Sequence, residues 1–178
     1  NCVGHVDVYS DDRQTHWDTN YKAVSDLVDL CNEHKKSLVH MSTDFVYCNS
    51  VDNASEKDVP VHPRNWYGYT KLLSDAHVQL KSNDFLLVRT SYKPYPFPYN
   101  KAWTSQEGNF DYVDVIAGLV TKLIEGNMKG VYNVGTKTKT MFDLAKQTNS
   151  EVLPSADLYH DTMPTNVTMN LGKLAEAL

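Results

Sequence analysis

Short apolar runs alternate with amphipathic segments along the first half of the chain. Residues 17–34 carry apolar side chains with a helical period, and the apolar run 37–42 that follows them is strand-like. The same order returns in a helical pattern over 67–81 and a compact apolar run over 85–89. Strands that alternate with helices of this length predict an α/β fold, in which a parallel sheet carries helices on both faces.

The second half changes character after residue 92. Prolines at 94, 96 and 98 alternate with aromatic residues, and because proline fixes φ and lacks a backbone donor, we expect 92–106 to be a loop. A helix is predicted over 113–125, a short strand over 131–134 and a helix after Thr140, which can act as its N-cap. A domain boundary is therefore predicted between residues 92 and 93.

Composition and charge exclude several classes of protein. No apolar run approaches the ~20 residues that a membrane helix needs, and the first residues lack the pattern of a signal peptide. The formal net charge of −5 disfavours binding to nucleic acid. Three cysteines without a Cys-x-x-Cys motif favour a reducing, cytoplasmic compartment. The seven histidines form no closed ligand spacing, so no metal site is predicted.

Three residue types in order suggest acid–base chemistry on a carbonyl. Thr43 follows an apolar strand, and Tyr67 and Lys71 are spaced so that they share one face of a helix. A Lys ammonium beside a phenol is expected to lower the phenol's pKa, and a threonine hydroxyl can polarise the same substrate oxygen. One Tyr-x-x-x-Lys is expected by chance in a chain of this composition, so the prediction depends on Thr43 at the strand end.

The predicted topology brings the candidate residues to one place. Gly4, Thr43 and Ser91 each lie just past the end of a predicted strand. In parallel sheets the carboxyl ends of the strands meet at one edge, and ligands bind there. The site is therefore predicted at this edge.

Several segments together resemble the extended short-chain dehydrogenase/reductases, and within them the dTDP-4-dehydrorhamnose reductase group. The matching segments, in chain order, are Asn1-Cys2-Val3-Gly4, Asn20, 38–47 (Leu-Val-His-Met-Ser-Thr-Asp-Phe-Val-Tyr), Glu56, Pro63, Asn65, 67–72 (Tyr-Gly-Tyr-Thr-Lys-Leu), 87–92 (Leu-Val-Arg-Thr-Ser-Tyr), 130–135 (Gly-Val-Tyr-Asn-Val-Gly) and 163–166 (Met-Pro-Thr-Asn). The resemblance covers nearly the whole chain. It implies a partial Rossmann-like, doubly wound parallel sheet with a small α+β substrate-binding lobe.

The resemblance also implies domains and residue roles. Residues 1–92 would be a partial dinucleotide-binding domain with the catalytic residues, and 93–178 mostly the substrate-binding lobe. The implied roles are catalysis for Thr43, Tyr67 and Lys71, binding of NADP or NAD for Cys2, Val3, Tyr67, Lys71, Thr90 and Ser91, and substrate binding for Thr43, Asp44 and Tyr92. The implied reaction is NAD(P)-dependent reduction of a nucleotide-linked 4-keto-6-deoxy sugar.

Departures from the family pattern keep alternatives open. The family's Gly-x-x-Gly-x-x-Gly segment is missing from this sequence, Phe45 stands where the family often has Tyr, and Tyr92 replaces Trp. One alternative is a sugar-nucleotide epimerase or dehydratase. Another is a non-catalytic regulatory or binding subunit resembling the β-subunit of methionine adenosyltransferase. Because an incomplete sheet would leave an edge unpaired, a homodimer or association through that edge is expected.

Overall fold

The computed structural model describes residues 1–58, 65–156 and 163–178, so Pro63 of the family pattern lies outside the described residues. A π-helical turn over Trp17–Lys22 joins the first two helices, and a 3₁₀ helix spans Asp44–Tyr47. The α-helices are α1 (Arg13–His16), α2 (Ala23–Glu33), α3 (Trp66–Lys81), α4 (Val113–Glu125), α5 (Met141–Lys146) and α6 (Gly172–Ala177). The strands are β1 (Leu38–Met41), β2 (Phe85–Arg89), β3 (Tyr92–Lys93), β4 (Lys101–Trp103), β5 (Glu107–Gly108), β6 (Asp111–Tyr112), β7 (Gly130–Asn133), β8 (Lys139–Thr140), β9 (Leu153–Ser155) and β10 (Asn166–Val167).

A three-stranded parallel sheet in the order β1-β2-β7 organises the chain. The first residue extends this sheet by one position, because the amide of Met41 donates to the carbonyl of Asn1 over 3.1 Å. The strand expected over residues 1–5 is otherwise not formed. The predicted α/β class with a parallel, Rossmann-like sheet is confirmed.

Helices cover both faces of the sheet because successive strand residues point in opposite directions. On β2, Leu86 and Val88 pack with α4 and α6, whereas Leu87 packs with α2 and α3. Each of these side chains is at most 2% exposed. Burying one such aliphatic side chain contributes about 1.5–3 kcal/mol, so both helical layers are held by the hydrophobic effect.

The helices begin where the sequence supplies caps. The Asn65 side chain accepts a hydrogen bond of 2.7 Å from the amide of Gly68 and thereby starts α3. Thr140 and Asp143 form a reciprocal capping box at α5, as predicted. Such caps contribute about 1 kcal/mol each. Among the described residues, no helix has both the length and the apolar character needed to cross a membrane.

The remaining short strands form a lobe beside the sheet. The segment expected to be a loop, 92–106, contains β3 and β4, because β3 pairs with β6 and β4 pairs with β9. The part of the chain after residue 92 also returns to the central sheet, since β7 pairs with β2. The division into domains 1–92 and 93–178 stays a prediction.

A buried ion pair connects four elements below the carboxyl edge of the sheet. Arg89 at the end of β2 donates from Nε and Nη2 to the two carboxylate oxygens of Asp75 on α3, over 2.9 and 2.8 Å. Its Nη1 donates to the Tyr47 hydroxyl over 2.7 Å, and that hydroxyl lies 2.9 Å from Oδ1 of Asn133 on β7. Ser42, which follows β1, donates to Asp75 over 2.8 Å. Each guanidinium nitrogen and both carboxylate oxygens therefore have a hydrogen-bond partner inside the protein.

We expect Arg89→Met to lower the free energy of unfolding by about 3–5 kcal/mol, because it leaves the Asp75 carboxylate buried without its cation. Urea denaturation followed by circular dichroism measures the change. Lys22→Met is the matched control, since the Lys22–Asp26 pair is exposed to solvent and its loss should change the stability much less. Equal effects of the two substitutions would contradict this account of the network.

Candidate active site

The carboxyl edge of the sheet continues past the regular strands. The amide of Ser42 donates to the carbonyl of Val88 over 2.7 Å, and the amide of Asp44 donates to the carbonyl of Thr90 over 3.3 Å. Thr43 lies between these two contacts and caps the 3₁₀ helix, with its Oγ1 accepting from the amide of Phe45 over 3.2 Å. The Thr43 side chain is therefore held at the edge by backbone geometry.

Tyr67 meets Thr43 at this edge. Its ring packs edge-on against Phe45 with 5.6 Å between the ring centroids. Burial raises the pKa of the Tyr67 phenol to about 12, and a hydrogen bond with the Thr43 side chain opposes this rise. A hydroxyl from the end of β1 and a phenol from the first turn of α3 thus converge, although 24 positions separate them in the chain.

Lys71 lies one helical turn after Tyr67 but points below the edge. Its ammonium donates to the carbonyl of Met41 over 2.6 Å, and its side chain is buried. Burial lowers the pKa of this ammonium to about 8, and the charges of Asp75 and Cys2 oppose that shift. The expectation that Lys71 lowers the pKa of Tyr67 is wrong for this structure, since burial dominates and leaves the phenol protonated at neutral pH.

Asp44 is the buried acid of the edge. It is 1% exposed, and its Oδ1 accepts from the Thr43 hydroxyl over 3.2 Å. Its Oδ2 has no hydrogen-bond partner within the described part of the chain. Burial raises the pKa of the Asp44 carboxyl to about 6, whereas the Lys93 ammonium and the Thr43 hydrogen bond favour the charged form.

A cavity of about 560 Å³ opens between the edge and the lobe. This volume suits a small-molecule ligand. Six of the lining residues carry the argument below: Asp44, Phe45, Ser91, Lys93, Trp103 and Phe110.

The residues that line the cavity differ from the predicted substrate-binding residues. Of Thr43, Asp44 and Tyr92, only Asp44 lines it, and Ser91, expected near the cofactor, lines it too. Tyr92 is 47% exposed, because alternate residues of a strand face opposite ways and Ser91 and Lys93 take the inner side. The Tyr92 phenol nevertheless lies near enough to Tyr67 to raise the pKa of that phenol.

The residues expected to bind the cofactor lie along the same edge. Cys2 and Val3 are exposed beside the end of β1, and the thiolate of Cys2 would favour the charged form of Lys71. The amide of Val3 already donates to Oδ1 of Asn1 over 3.0 Å, so Val3 has only its carbonyl to offer. Thr90 is buried, and its Oγ1 has no hydrogen-bond partner among the described residues.

A nicotinamide-ribose group fits this arrangement. Lys71 has three donors and uses one of them on Met41, and the free hydroxyl of Thr90 supplies a further polar contact. Within residues 1–58, 65–156 and 163–178, no group of three or more His, Cys, Asp or Glu side chains is placed to hold a metal ion.

Asn20 anchors the segment that forms one side of the cavity. Its side chain accepts from the amide of His5 over 2.8 Å, donates to the His5 carbonyl over 3.0 Å and contacts the Thr70 hydroxyl over 3.2 Å. Asn20 lies in the π-helical turn, a feature that is frequent at functional sites. The family pattern pointed to Asn20, but only the structure shows that it fixes the backbone leading to the cavity residues 6–9.

Lys93 is a cavity residue that the sequence analysis missed. Lys93 lies two residues after Ser91, and residues two apart share a face of the sheet only if the backbone is extended. Only this spacing could have indicated Lys93 from the sequence. Because residues 92–106 were expected to form a loop, the sequence analysis did not place Lys93 on the same side as Ser91.

Comparison with known proteins finds curated relatives of low sequence identity. The dTDP-D-glucose 4,6-dehydratase of Bos taurus is 28% identical over 174 residues, which cover 79% of this chain and 49% of that protein. The chain thus spans about half the length of the curated relatives that it matches.

Solved structures share the fold at low identity. The dTDP-4-dehydrorhamnose reductase of Clostridium acetobutylicum superposes with a TM-score of 0.84 at 18% identity, covering 99% of this chain and 72% of that one. That of Bacillus anthracis, in complex with NADP, gives a TM-score of 0.83 at 22% identity, covering 98% and 72%.

The family of the chain is shown by a match to a family model, which the low-identity relatives and structures do not provide by themselves. The model described as the RmlD substrate binding domain matches residues 3–93. This range includes the three side chains of the predicted catalytic set and the strand end that positions them. The chain belongs to the RmlD substrate-binding-domain family.

Proposed function

We propose that this chain carries the catalytic and sugar-binding part of an NAD(P)-dependent oxidoreductase of the short-chain dehydrogenase/reductase type. Its substrate would be a nucleotide-linked 4-keto-6-deoxy sugar, which it reduces at the carbonyl. The observation that carries this proposal is the convergence of the Thr43 hydroxyl and the Tyr67 phenol next to Phe45, which packs on the Tyr67 ring and lines the cavity. A cytoplasmic location is part of the same proposal.

The ionisation of the site suits reduction. Because the pKa of Tyr67 is about 12, the phenol keeps its proton at neutral pH and can donate it to the oxygen of a carbonyl that is being reduced. The Thr43 hydroxyl accepts from the amide of Phe45 and donates its single proton to Asp44; by turning that proton away from Asp44 it can donate to the same oxygen and polarise the carbonyl. Lys71 would bind the ribose of the cofactor from below the carboxyl edge of the sheet.

The cofactor would be NADP or NAD, as in the solved relatives that bind one or the other. Lys71, Tyr67, Thr90 and the backbone at Cys2 and Val3 would hold its nicotinamide end. When bound, the cofactor supplies the two electrons of the reduction. The family's pyrophosphate-binding glycine segment is not part of this sequence, so the residues named here account for the nicotinamide end of the cofactor only.

A dehydratase is the second candidate, and Asp44 favours it. The curated relatives include dTDP-D-glucose 4,6-dehydratases, and Asp44 supplies a buried carboxyl beside Thr43 whose pKa of about 6 lets it exchange a proton near neutral pH. Phe45 brings no second ionisable group. A reductase consumes NADPH with a 4-keto sugar, whereas a dehydratase converts dTDP-glucose without net consumption of cofactor.

A regulatory subunit is the non-catalytic alternative. It would bind a nucleotide or nucleotide sugar without turnover of either substrate. The joint presence of Thr43, Tyr67 and Lys71 supports the enzyme instead.

We expect Tyr67→Phe to lower the rate of NADPH oxidation by about 10²–10⁴-fold, because the variant lacks the proton donor. Thr43→Val should lower it by about 10²-fold, since one donor to the carbonyl oxygen is lost. The assay follows NADPH absorbance with a dTDP-linked 4-keto-6-deoxy sugar and the purified protein.

Tyr95→Phe is the matched control for the first variant, because Tyr95 is 64% exposed and does not line the cavity. Full activity of Tyr67→Phe would rule out the proposed chemistry. Binding of the nucleotide sugar without turnover by the unaltered protein would favour the regulatory alternative.

The raised pKa of Asp44 predicts that the free energy of unfolding depends on pH. Its pKa is raised on folding from 3.8 to about 6, so the native state holds the proton more tightly, and this stabilisation is lost as the pH rises through about 6. We expect Asp44→Asn to raise the free energy of unfolding at pH 8 by up to roughly 3 kcal/mol, with a smaller gain at pH 4.5.

Urea denaturation at the two pH values measures this difference. Asp29→Asn is the control, since Asp29 is exposed on α2 and should show no such dependence. A pH-independent effect of Asp44→Asn would contradict the raised pKa.

The association of the chain through the sheet edge stays a prediction. The outer side of the residue that extends β1, Asn1, pairs with no further strand in the described part of the chain. Since such edges template pairing, we expect dimers or larger species in multi-angle light scattering. A monodisperse monomer would exclude association.

A further inference from the structure

We propose that Lys93 determines the sugar specificity of the cavity, donating to an oxygen of a neutral, polyhydroxylated sugar while Asp44 accepts from a neighbouring hydroxyl. The inference deepens the proposed function and rests on it. It adds a residue whose role neither the family pattern nor the sequence predicted.

The geometry of β3 aims Lys93 into the cavity. Backbone pairing of Tyr92 with Asp111 and of Lys93 with Tyr112 holds this short strand. Ser91 and Lys93 therefore take the same side, and both line the cavity, whereas Tyr92 is directed outward. The direction of the Lys93 side chain thus follows from the backbone.

Lys93 and Asp44 each have unused hydrogen-bonding capacity. Among the described residues, the Lys93 ammonium has no hydrogen-bond or ion-pair partner, and the two side chains do not form a direct ion pair. Oδ2 of Asp44, a residue that is only 1% exposed, is also unpartnered. The two groups nevertheless interact electrostatically. Burial lowers the pKa of Lys93, and the charge of Asp44 opposes that shift.

An unpartnered polar atom on a buried side chain is costly, so Oδ2 of Asp44 indicates a bound group that donates to it, and the half-buried Lys93 ammonium can donate to an acceptor of the same group. A sugar hydroxyl can donate to Asp44, and an adjacent hydroxyl or carbonyl oxygen can accept from Lys93. The nearby Gln106 is less suited to this task, since its amide already donates to the carbonyl of Pro164 over 3.0 Å.

The charge of the lining favours a neutral group over an anion. Two lysines, Lys93 and Lys101, and two aspartates, Asp7 and Asp44, are the Lys, Arg, Asp and Glu side chains among the described lining residues. Their formal charges cancel. An anionic group would leave one carboxylate facing it, whereas the hydroxyls of a neutral sugar can satisfy both signs.

The apolar walls complete the fit. Phe45, Trp103 and Phe110 line the cavity beside the polar pair. Aromatic surfaces pack against the C–H face of a sugar ring, so the cavity combines an apolar wall with two polar contacts, as ligand pockets commonly do.

The test is isothermal titration calorimetry of the chain with dTDP-glucose and, separately, with dTDP. We expect Lys93→Met to weaken the binding of dTDP-glucose by about 10-fold and to leave the binding of dTDP unchanged, because only the sugar reaches Lys93. Lys93→Gln keeps a donor but no charge, so its affinity for dTDP-glucose should lie between those of the unaltered protein and Lys93→Met. It provides a second variant if Lys93→Met does not fold. Lys122→Met, the same change on the exposed side of α4, is the control and should alter neither affinity.

Each outcome decides a different point. Unchanged affinities for both ligands in both Lys93 variants would overturn the inference and leave the proposed function standing. An equal loss for both ligands would also overturn it, since Lys93 would then act on the nucleotide. Failure of the unaltered chain to bind either ligand would count against the proposed function itself, and the inference would fall with it.

Discussion

The buried ion pair between Arg89 and Asp75 holds together the edge of the sheet on which the site is built. Arg89 ends β2, Asp75 lies on α3, and Ser42 donates to the same carboxylate from the end of β1. Tyr47 extends the contacts to β7 through Asn133. A buried charge without its partner is strongly unfavourable, so these elements can keep their positions only together.

This constraint explains how the reactive groups are positioned. Ser42 is tied to the ion pair, and the next residue, Thr43, caps the 3₁₀ helix that Tyr47 ends. Tyr67 and Lys71 lie on the same helix as Asp75. The ion pair is thus a support under the site, and the phenol and hydroxyl above it are held by short connections. Such support is what keeps catalytic geometry from loosening.

Burial sets the ionisation of the site more than pairwise charges do. It raises the pKa of Tyr67 and of Asp44 and lowers that of Lys71. Each shift disfavours the charged form, as expected where water is excluded. The site therefore keeps a protonated phenol for donation and an acid that titrates near neutral pH. This combination supports a reductase and explains why a dehydratase remains the nearest alternative.

Local interactions let the sequence alone determine the α/β class, the cap at Thr140 and, to within one residue, the bounds of α3, α4 and β2, because periodicity and capping act within a few residues. The order Thr43, Tyr67, Lys71 likewise indicated that Thr43 and Tyr67 could meet at the strand ends, whereas the Lys71 ammonium lies below the edge on the carbonyl of Met41. Only the tertiary structure decided that β3 and β4 form within the proline-rich segment, that Lys93 and not Tyr92 faces the cavity, and that the pKa of Tyr67 rises. These features depend on partners far along the chain, since pairing and burial are properties of the assembled fold.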